Sequence, residues 1–317
     1  MPQTTNLLRS LELDRLAIII LNWNAAPETI HCVRSIELWQ ECTPAIWVVD
    51  NASVDGSADT ISRACPGVHL VRNEQNLGFG GGNNRGIEQT LSAGAQAILL
   101  LNNDASIQEH DLLRLFATLR QDAKAGFVGP LLLSDDRHTV LSAGGRDIAT
   151  ALDTHLKSAP TGALTYSVDY VPGTVVLIRA EVWEAVGLFD EAYFFSCEMA
   201  DLCERGKRHG YQSIIDARAQ AIHAQHAPSQ LRETLYTYYS LRNRFLFVSK
   251  FRSRGRWAIQ AFWAAYGLGM GVKARLAHKP LRARAAFLAV RDGLRGRFGG
   301  QNERVLSSSP VHSGGEC

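Results

Sequence analysis

The chain has 317 residues, of which 46% are hydrophobic and 20% charged, an ordinary globular composition with apolar material for one large α/β core and a smaller appended unit. Its formal net charge of +2 hides a division: from Arg232 onward 16 Lys/Arg face four acids, a net +12, while the preceding residues hold 17 basic and 27 acidic side chains, a net −10. An acidic body thus leads into a basic tail suited to an anionic surface. Six cysteines without a CxxC pair speak against a disulfide framework or zinc site and fit reduced thiols in the cytoplasm. The first strongly apolar run, 16–21, is only strand-length, so no secretion signal is expected there.

The first half alternates short apolar runs with polar, helix-compatible stretches. Strands are expected at Leu16–Asn22, at Ala45–Asp50 and over 97–101, with helices over 27–42, 56–64 and 83–94. This alternation predicts parallel strands joined by crossover helices. Residues 134–169 read as loops or a small antiparallel excursion. A strand is expected over 170–178, containing Pro172-Gly173, then helices over 180–187 and 198–210. After Ala221 the pattern turns helical and basic.

Ligands of open parallel sheets bind beyond the carboxyl ends of the strands, and polar groups stand there: Asn22-Trp23-Asn24, Asp50-Asn51-Ala52-Ser53 and Asn102-Asn103-Asp104. A carboxylate at Asp50 can accept a pyrimidine N–H, although Ser53 or Asp55 also serves as an ordinary helix cap. The stretch from Asn76 to Asn84 is a glycine-rich turn whose backbone N–H groups can face a phosphate. Counting GxGxxG from Gly78 places Asn83 at the third glycine, and GxxxxGK[ST] is absent, so a dehydrogenase and a P-loop enzyme both lose support. One Asp with an Asn neighbour suffices for a hard divalent cation that keeps water and substrate phosphate, yet Asn102-Asn103-Asp104 is also good turn chemistry.

Taken together, Ile19-Ile20-Leu21-Asn22-Trp23-Asn24, Val48 to Ser57, Asn76 to Asn83, Leu101 to Asp104 and Val186-Gly187-Leu188-Phe189-Asp190-Glu191 resemble, in order, the motifs of family 2 glycosyltransferases, especially the bacterial rhamnosyltransferase-like branch. The resemblance covers about 16–244 and implies a GT-A type α/β fold with a mostly parallel central sheet flanked by helices. A catalytic domain over 12–231, a helical basic region over 232–304 and a disordered tail over 305–317 are expected. The resemblance further implies a donor site drawn from Asn22, Asn24, Asp50, Asn51, Ser53, Asn76, Gly80, Asn83, Asn102, Asn103, Asp104 and Gly173. Asn102 and Asp104 stand at the position that holds Mg²⁺ or Mn²⁺ and the diphosphate. A family histidine near the metal corresponds to His223 or His226, with His226 the expected ligand.

Phe194 to Arg205 resembles the acceptor-side segment, which usually carries Glu-Asp-x-Asp-Leu; here Met199 replaces the second residue. Either Glu198 serves as the general base with Asp201 beside it, or the domain is a catalytically silent nucleotide-sugar binder. Asp201 lies one turn from Arg205 on the expected helix and pairs with it or takes part in the chemistry. Arg242, in Tyr238-Tyr239-Ser240-Leu241-Arg242-Asn243, is a phosphate or structural partner. Within 252–284 an aromatic-apolar helix flanked by arginines fits either an anionic membrane interface or packing on the catalytic domain. The expected activity is inverting transfer of a sugar, such as L-rhamnose, from a dTDP- or UDP-sugar to a glycan or lipid-linked acceptor at the cytoplasmic membrane face, with no nucleic-acid partner.

Overall fold

The structure, a computed structural model, describes residues 11–224 and 230–307. The chain separates into two compact units, one of residues up to Glu191 plus Glu198–Gln225, the other of Ala192–Cys197 plus His226 onward.

The first unit runs β1 (Leu16–Asn22), α1 (Ala26–Glu37), β2 (Ala45–Asp50), α2 (Ser57–Ala64), β3 (His69–Arg72), α3 (Gly78–Ser92), β4 (Ala97–Asn102), β5 (Ala105–Ile107), α4 (Glu109–Gln121), β6 (Ala125–Leu133), β7 (Val140–Ser142), β8 (Thr165–Val168), β9 (Val175–Arg179), α5 (Ala180–Val186), α6 (Glu198–Arg208) and β10 (Gln212–His223). One sheet has the order β3-β2-β1-β4-β9-β6-β10-β5, with β7 on β6 and β8 on β10. It is parallel from β3 to β4 and mixed beyond, because β9 runs antiparallel to both β4 and β6. Ile18, Ile20, Leu99 and Leu177 lie fully buried in one core with Val33, Ile36, Ile61, Leu112 and Leu115 from the covering helices. Each such aliphatic side chain contributes about 1.5–3 kcal/mol by leaving water.

β1 and β2 form over the expected residues, and β4 runs one residue longer than expected. Helix α1 stops at Glu37, five residues early, because the Glu109 carboxylate accepts the backbone N–H groups of Gln40, Glu41 and Cys42 at 2.9, 2.6 and 2.9 Å and holds them in a turn. Helix α3 begins at Gly78, so the glycine run is its first turns and not a loop before it. Each glycine costs a helix about 1 kcal/mol relative to alanine, and close packing supplies the reason. A Cβ on Gly82 would lie 2.6 Å from Leu21 Cδ1, and one on Gly86 2.9 Å from Val49 Cγ2. The strand expected over 170–178 starts only at Val175, leaving Pro172-Gly173 outside it. Residues 134–169 do contain the short antiparallel β7 and β8. Strand β10 continues through His223, past the point where a helical region was expected.

The second unit has helices α7 (Gln230–Phe251), α8 (Arg256–Leu276), α9 (Pro280–Leu294) and α10 (Asn302–Leu306). Residues 305 and 306 are therefore helical, contrary to the expected tail. Tyr238, Phe245, Trp263, Ala285, Ala289 and Val305 form its core, and a Cβ on Gly267 would meet Val290 at 2.5 Å and Leu241 at 2.6 Å, so the three long helices pack closely. Helix α8 buries Gln260, Trp263, Gly267, Gly271 and Ala274 and exposes Trp257, Phe262, Tyr266, Val272 and Leu276. Among the described residues no helix is long and apolar enough to cross a membrane.

Candidate functional site

The parallel register sets Asn22 beside Asp50 and Leu21 beside Asn102, so β1, β2 and β4 present their polar ends together. Asn22 is fully buried; its Nδ2 donates to Asp50 Oδ1 at 2.7 Å and to Ser53 Oγ at 3.1 Å, and its Oδ1 accepts the Thr29 hydroxyl at 2.8 Å. The second oxygen of Asp50 accepts Ser53 N–H at 3.1 Å. Asn24, in the left-handed region at φ 52°, donates its N–H to Ser53 Oγ and accepts Val54 N–H, both at 2.8 Å. Thr29, which sequence reasoning passed over, also accepts Asn103 Nδ2 at 3.1 Å, so one hydroxyl joins the ends of β1 and β4. The result is a rigid acceptor carboxylate at the sheet rim, with half-exposed Trp23 beside it.

Asn51 is a buried hub at the start of α3. Its Oδ1 accepts Leu77 N–H at 3.1 Å and Asn73 Nδ2 at 3.0 Å, while its Nδ2 donates to Asn76 Oδ1 at 3.0 Å and Gly78 O at 3.1 Å. Asn76 in turn accepts Gly78 N–H at 2.8 Å. Asn83 turns inward and donates to Phe79 O at 2.9 Å. The side chains of Asn51, Asn76 and Asn83 thus shape the helix start that carries Gly80. Asn84 clasps the backbone of Phe189, donating to its O at 3.0 Å and accepting its N–H at 2.9 Å; its position in an Asn-Asn pair was the one sequence signal.

Asp104 lies between β4 and β5, and the β5/β10 register pairs Ala105 with His223. That pairing, reinforced by Ala224 N–H donating to Asp104 O at 2.9 Å, brings His223 Nε2 to 3.2 Å from Asp104 Oδ1, both atoms buried. At that distance the two side chains form an ion pair when the imidazole is protonated, and together they offer a divalent cation one oxygen and one nitrogen donor. Among the described residues no group of three or more His, Cys, Asp or Glu side chains is placed to hold a metal. The remaining positions would fall to water and diphosphate oxygens, the habit of Mg²⁺. Asn102 closes β4 two residues before Asp104. His226 lies outside the described residues; His223 is the histidine beside Asp104. Under this corner the Cys32 thiol, pushed up to about 12 by burial and then by the Asp104 charge, stays neutral.

Glu198 opens α6. It is buried, its Oε2 has no hydrogen-bond partner among the described residues, and burial, with a smaller push from the Asp201 charge, raises its carboxyl to about 7. Its Cβ lies 3.9 Å from where a Cβ on Gly80 would be. Met199 packs close to Gly173, whose added Cβ would sit 2.9 Å from Met199 Cγ and 3.2 Å from the Phe79 ring. Asp201, fully buried, holds Arg205 Nε at 2.7 Å. Arg205 also donates to the carbonyls of Val186, of Gly187 at 3.3 Å and of Leu188 at 2.9 Å. Asp201 is thereby engaged in fixing the Val186 to Glu191 motif, and Glu198 is the carboxylate of the two with an oxygen to spare.

The family model described as "Glycosyl transferase family 2" matches residues 17–179. A hexosyltransferase of low-salt glycan biosynthesis, Agl10 of Haloferax volcanii, is 28% identical over 74% of this chain and 75% of its own length. An N-acetylglucosaminyl-diphospho-decaprenol L-rhamnosyltransferase of Mycobacterium tuberculosis is 23% identical over 80% of this chain and 90% of its own. The dTDP-rhamnosyl transferase RfbF of Shigella flexneri is 24% identical over 73% and 79%. Among solved structures, the mannosyltransferase PcManGT of Pyrobaculum calidifontis, in complex with GDP-Man and Mn²⁺, superposes with a TM-score of 0.56 at 15% identity over 93% of this chain and 76% of its own. GalNAc-T7 with UDP, GalNAc and Mn²⁺ gives 0.53 at 14% identity over 73% and 50%. These two likenesses support the GT-A fold.

Proposed function

Since the chain belongs to glycosyl transferase family 2, whose model spans just over half of it, we propose that it transfers a sugar, L-rhamnose by preference, from a dTDP- or UDP-sugar to a hydroxyl of a lipid-linked glycan precursor, with inversion. The observation that carries the enzymatic reading is Glu198, a buried carboxyl raised to about 7 with a free oxygen. A general base works best when its pKa lies near the operating pH. Rhamnosyltransferases among the relatives, one named for a diphospho-decaprenol acceptor, support the donor and acceptor classes.

In this reading Asp50 accepts the N–H of the base, steadied by Asn22 and Ser53, with Asn24, Asn51, Asn76 and Asn83 shaping the pocket floor. Gly80 and Gly173 let Phe189, Met199 and Phe79 pack closely around the proposed donor site, and Asn102 with Asn103 flanks the diphosphate. Asp104 and His223 would hold Mn²⁺ or Mg²⁺, which would supply positive charge toward the departing diphosphate. Glu198 takes the proton of the acceptor hydroxyl as that oxygen attacks the sugar carbon and the nucleoside diphosphate leaves. A single displacement of this kind requires no protein nucleophile. Asp201 acts through Arg205 on the shape of the acceptor side. Met199 motivates the rival reading of a silent nucleotide-sugar binder.

The exposed aromatic and aliphatic side chains of α8, with Arg254, Lys273 and Arg275 exposed at its ends, suit an anionic lipid surface at which a lipid-linked acceptor resides. The deciding assay mixes purified protein with Mn²⁺ or Mg²⁺ and a panel of dTDP- and UDP-sugars, with and without EDTA and a lipid-linked N-acetylglucosaminyl acceptor. EDTA-sensitive release of nucleoside diphosphate from one donor is expected. Donor binding without release across the panel would overturn the enzymatic reading in favour of the silent binder.

A further inference from the structure

Burial is the main cause of the raised Glu198 carboxyl, so neighbouring groups must keep water from it. Within the unit that contains Glu198, one such neighbour is Phe189. A Cβ on Gly80 would lie 3.1 Å from Phe189 Cβ and 3.9 Å from Glu198 Cβ, so the bare face of that glycine receives both residues at once. The next glycine receives the same motif: a Cβ on Gly81 would stand 3.3 Å from Glu191 Cδ. Phe189 is buried, and its ring meets those of Phe79 and Trp183 edge-on with centroids 6.1 and 5.4 Å apart. Phe189 lies between α5 and α6, outside any helix or strand, and side chains hold its backbone instead. Asn84 Nδ2 donates to Phe189 O at 3.0 Å and Asn84 Oδ1 accepts Phe189 N–H at 2.9 Å, the two-way exchange that one strand offers another. The same Nδ2 donates to Glu191 Oε1 at 3.3 Å. Asn84 is buried in α3 one turn after Gly80, so the clasp and the landing site share a helix face.

We infer that Asn84 is a positioning residue for the transfer reaction: by clasping Phe189 it seats that side chain on Gly80 next to Glu198 and keeps the carboxyl out of water. Resting on the reading of Glu198 as the base, the inference adds what shields that base. Closing a pair with a backbone N–H and C=O takes a side chain that donates and accepts together; aspartate lacks the donor and alanine lacks both. Arg205, anchored on Asp201, reaches the carbonyls of Val186, Gly187 and Leu188 and stops there, which leaves Phe189 to Asn84. The ionisable groups around this corner are Asp201 with Arg205 on the helix of Glu198 itself, and Glu191 against Gly81. The Asp201 charge pushes the Glu198 carboxyl in the same direction as burial, and less strongly. None of these groups is removed when the clasp is cut, so a changed titration of Glu198 reports the entry of water.

The test uses the full-length chain, and its first arm needs no substrate. Thermal melts of wild type, Glu198→Gln, Asn84→Ala and the double variant are recorded from pH 5 to 8.5. The gap between each Glu198 protein and its Gln counterpart isolates the titration of Glu198, and a general loss of stability cancels within each pair. In the Asn84→Ala pair the gap at pH 8 is expected to shrink to about half or less of the wild-type gap, because a hydrated carboxyl returns toward its ordinary value. The second arm measures transfer with dTDP-L-rhamnose, Mn²⁺ and a lipid-linked N-acetylglucosaminyl acceptor. There kcat is expected to fall about tenfold, and the pH of half-maximal rate to move down by about one unit or more, as a weaker base deprotonates earlier. A residue that only stabilises the fold would lower the rate without moving that pH. An unchanged gap, or an unmoved half-maximal pH in folded Asn84→Ala, overturns the inference. Full transfer by Glu198→Gln would instead overturn the base assignment on which it rests, and the melts would still decide whether Phe189 shields the carboxyl. If Asn84→Ala does not fold, Phe189→Leu carries both arms, since it keeps the backbone bonds of the clasp and trims the side chain seated on Gly80; the same shifts are expected, and wild-type values overturn the inference.

Discussion

Replacing Glu198 by glutamine is expected to make the protein more stable at alkaline pH and inactive at every pH. Burial raises the carboxyl from 4.5 to about 7. Below pH 4.5 the folded and unfolded chains both carry the proton, and Glu and Gln behave alike. As pH rises from there the unfolded chain ionises while the folded one holds its proton, so the stability conferred by the neutral carboxyl is lost progressively until pH passes about 7. At 1.36 kcal/mol per pKa unit the full deficit approaches about 3 kcal/mol. The isosteric amide does not titrate, so the variant should escape that deficit, melting roughly 5–10 °C above wild type at pH 8 and close to it at pH 5. Differential scanning calorimetry of the two proteins across this range measures the gap directly, and all other titrating groups cancel in the difference. Melting curves that stay parallel from pH 5 to pH 8 would refute a buried, high-pKa Glu198. Under the functional reading the same variant binds donor normally and gives no transfer.

Three further outcomes can be checked with similar means. His223→Ala should raise the Mn²⁺ concentration for half-maximal donor hydrolysis about tenfold or more, the scale of losing a group that holds or tunes a metal, while Asp104→Ala should abolish metal-dependent release. Asp201→Ala leaves the Arg205 guanidinium, 18% exposed, without its carboxylate partner and is expected to cost about 3 kcal/mol of stability by urea titration. Asp201→Asn, which keeps an acceptor, should retain a substantial part of the transfer rate. Changing Trp257 and Phe262 to serine should weaken sedimentation with anionic vesicles and leave sedimentation with zwitterionic vesicles at its low baseline; equal binding of wild type to both vesicle types would refute the electrostatic part of the membrane proposal.

Much of the parallel part of the sheet is legible in the sequence because its strands are short, β-branched and end on polar triplets. β1 and β2 fall where the apolar runs place them, and the parallel register brings Asn22 and Asp50 together with no further information. The start of α3 is harder to read. A glycine run resembles a loop, and the reason it is helical lies in the close approach of Leu21 and Val49 from strands earlier in the chain. β10 is masked because Asp216, Ala217, Arg218 and Ala219 interrupt its apolar pattern. The structure accommodates them in a bulge, where Asp216 binds Thr118 at 2.7 Å and Arg218 Nη2 at 2.6 Å. With β10 unread, nothing in the sequence distinguishes His223 from His226. Arg242 illustrates the same limit: its motif suggests a phosphate or structural partner, and only the folded chain reveals that its donors are occupied by carbonyls of Ala192, Tyr193 and Gly299.

The pairing of β5 with β10 has a consequence for how the protein is made. Strands β1 to β4 connect through nearby helices and can assemble as they leave the ribosome, giving the Asn22–Asp50 pair early. Asp104 emerges with them, yet its partner His223 is at the last position of β10, and contacts between distant parts of a chain form late because closing a long loop costs entropy. A nascent chain halted before β10 would therefore already pair Asn22 with Asp50 while lacking the histidine beside Asp104, so the part proposed to meet the base would be complete, during synthesis, before the part proposed to meet a cation.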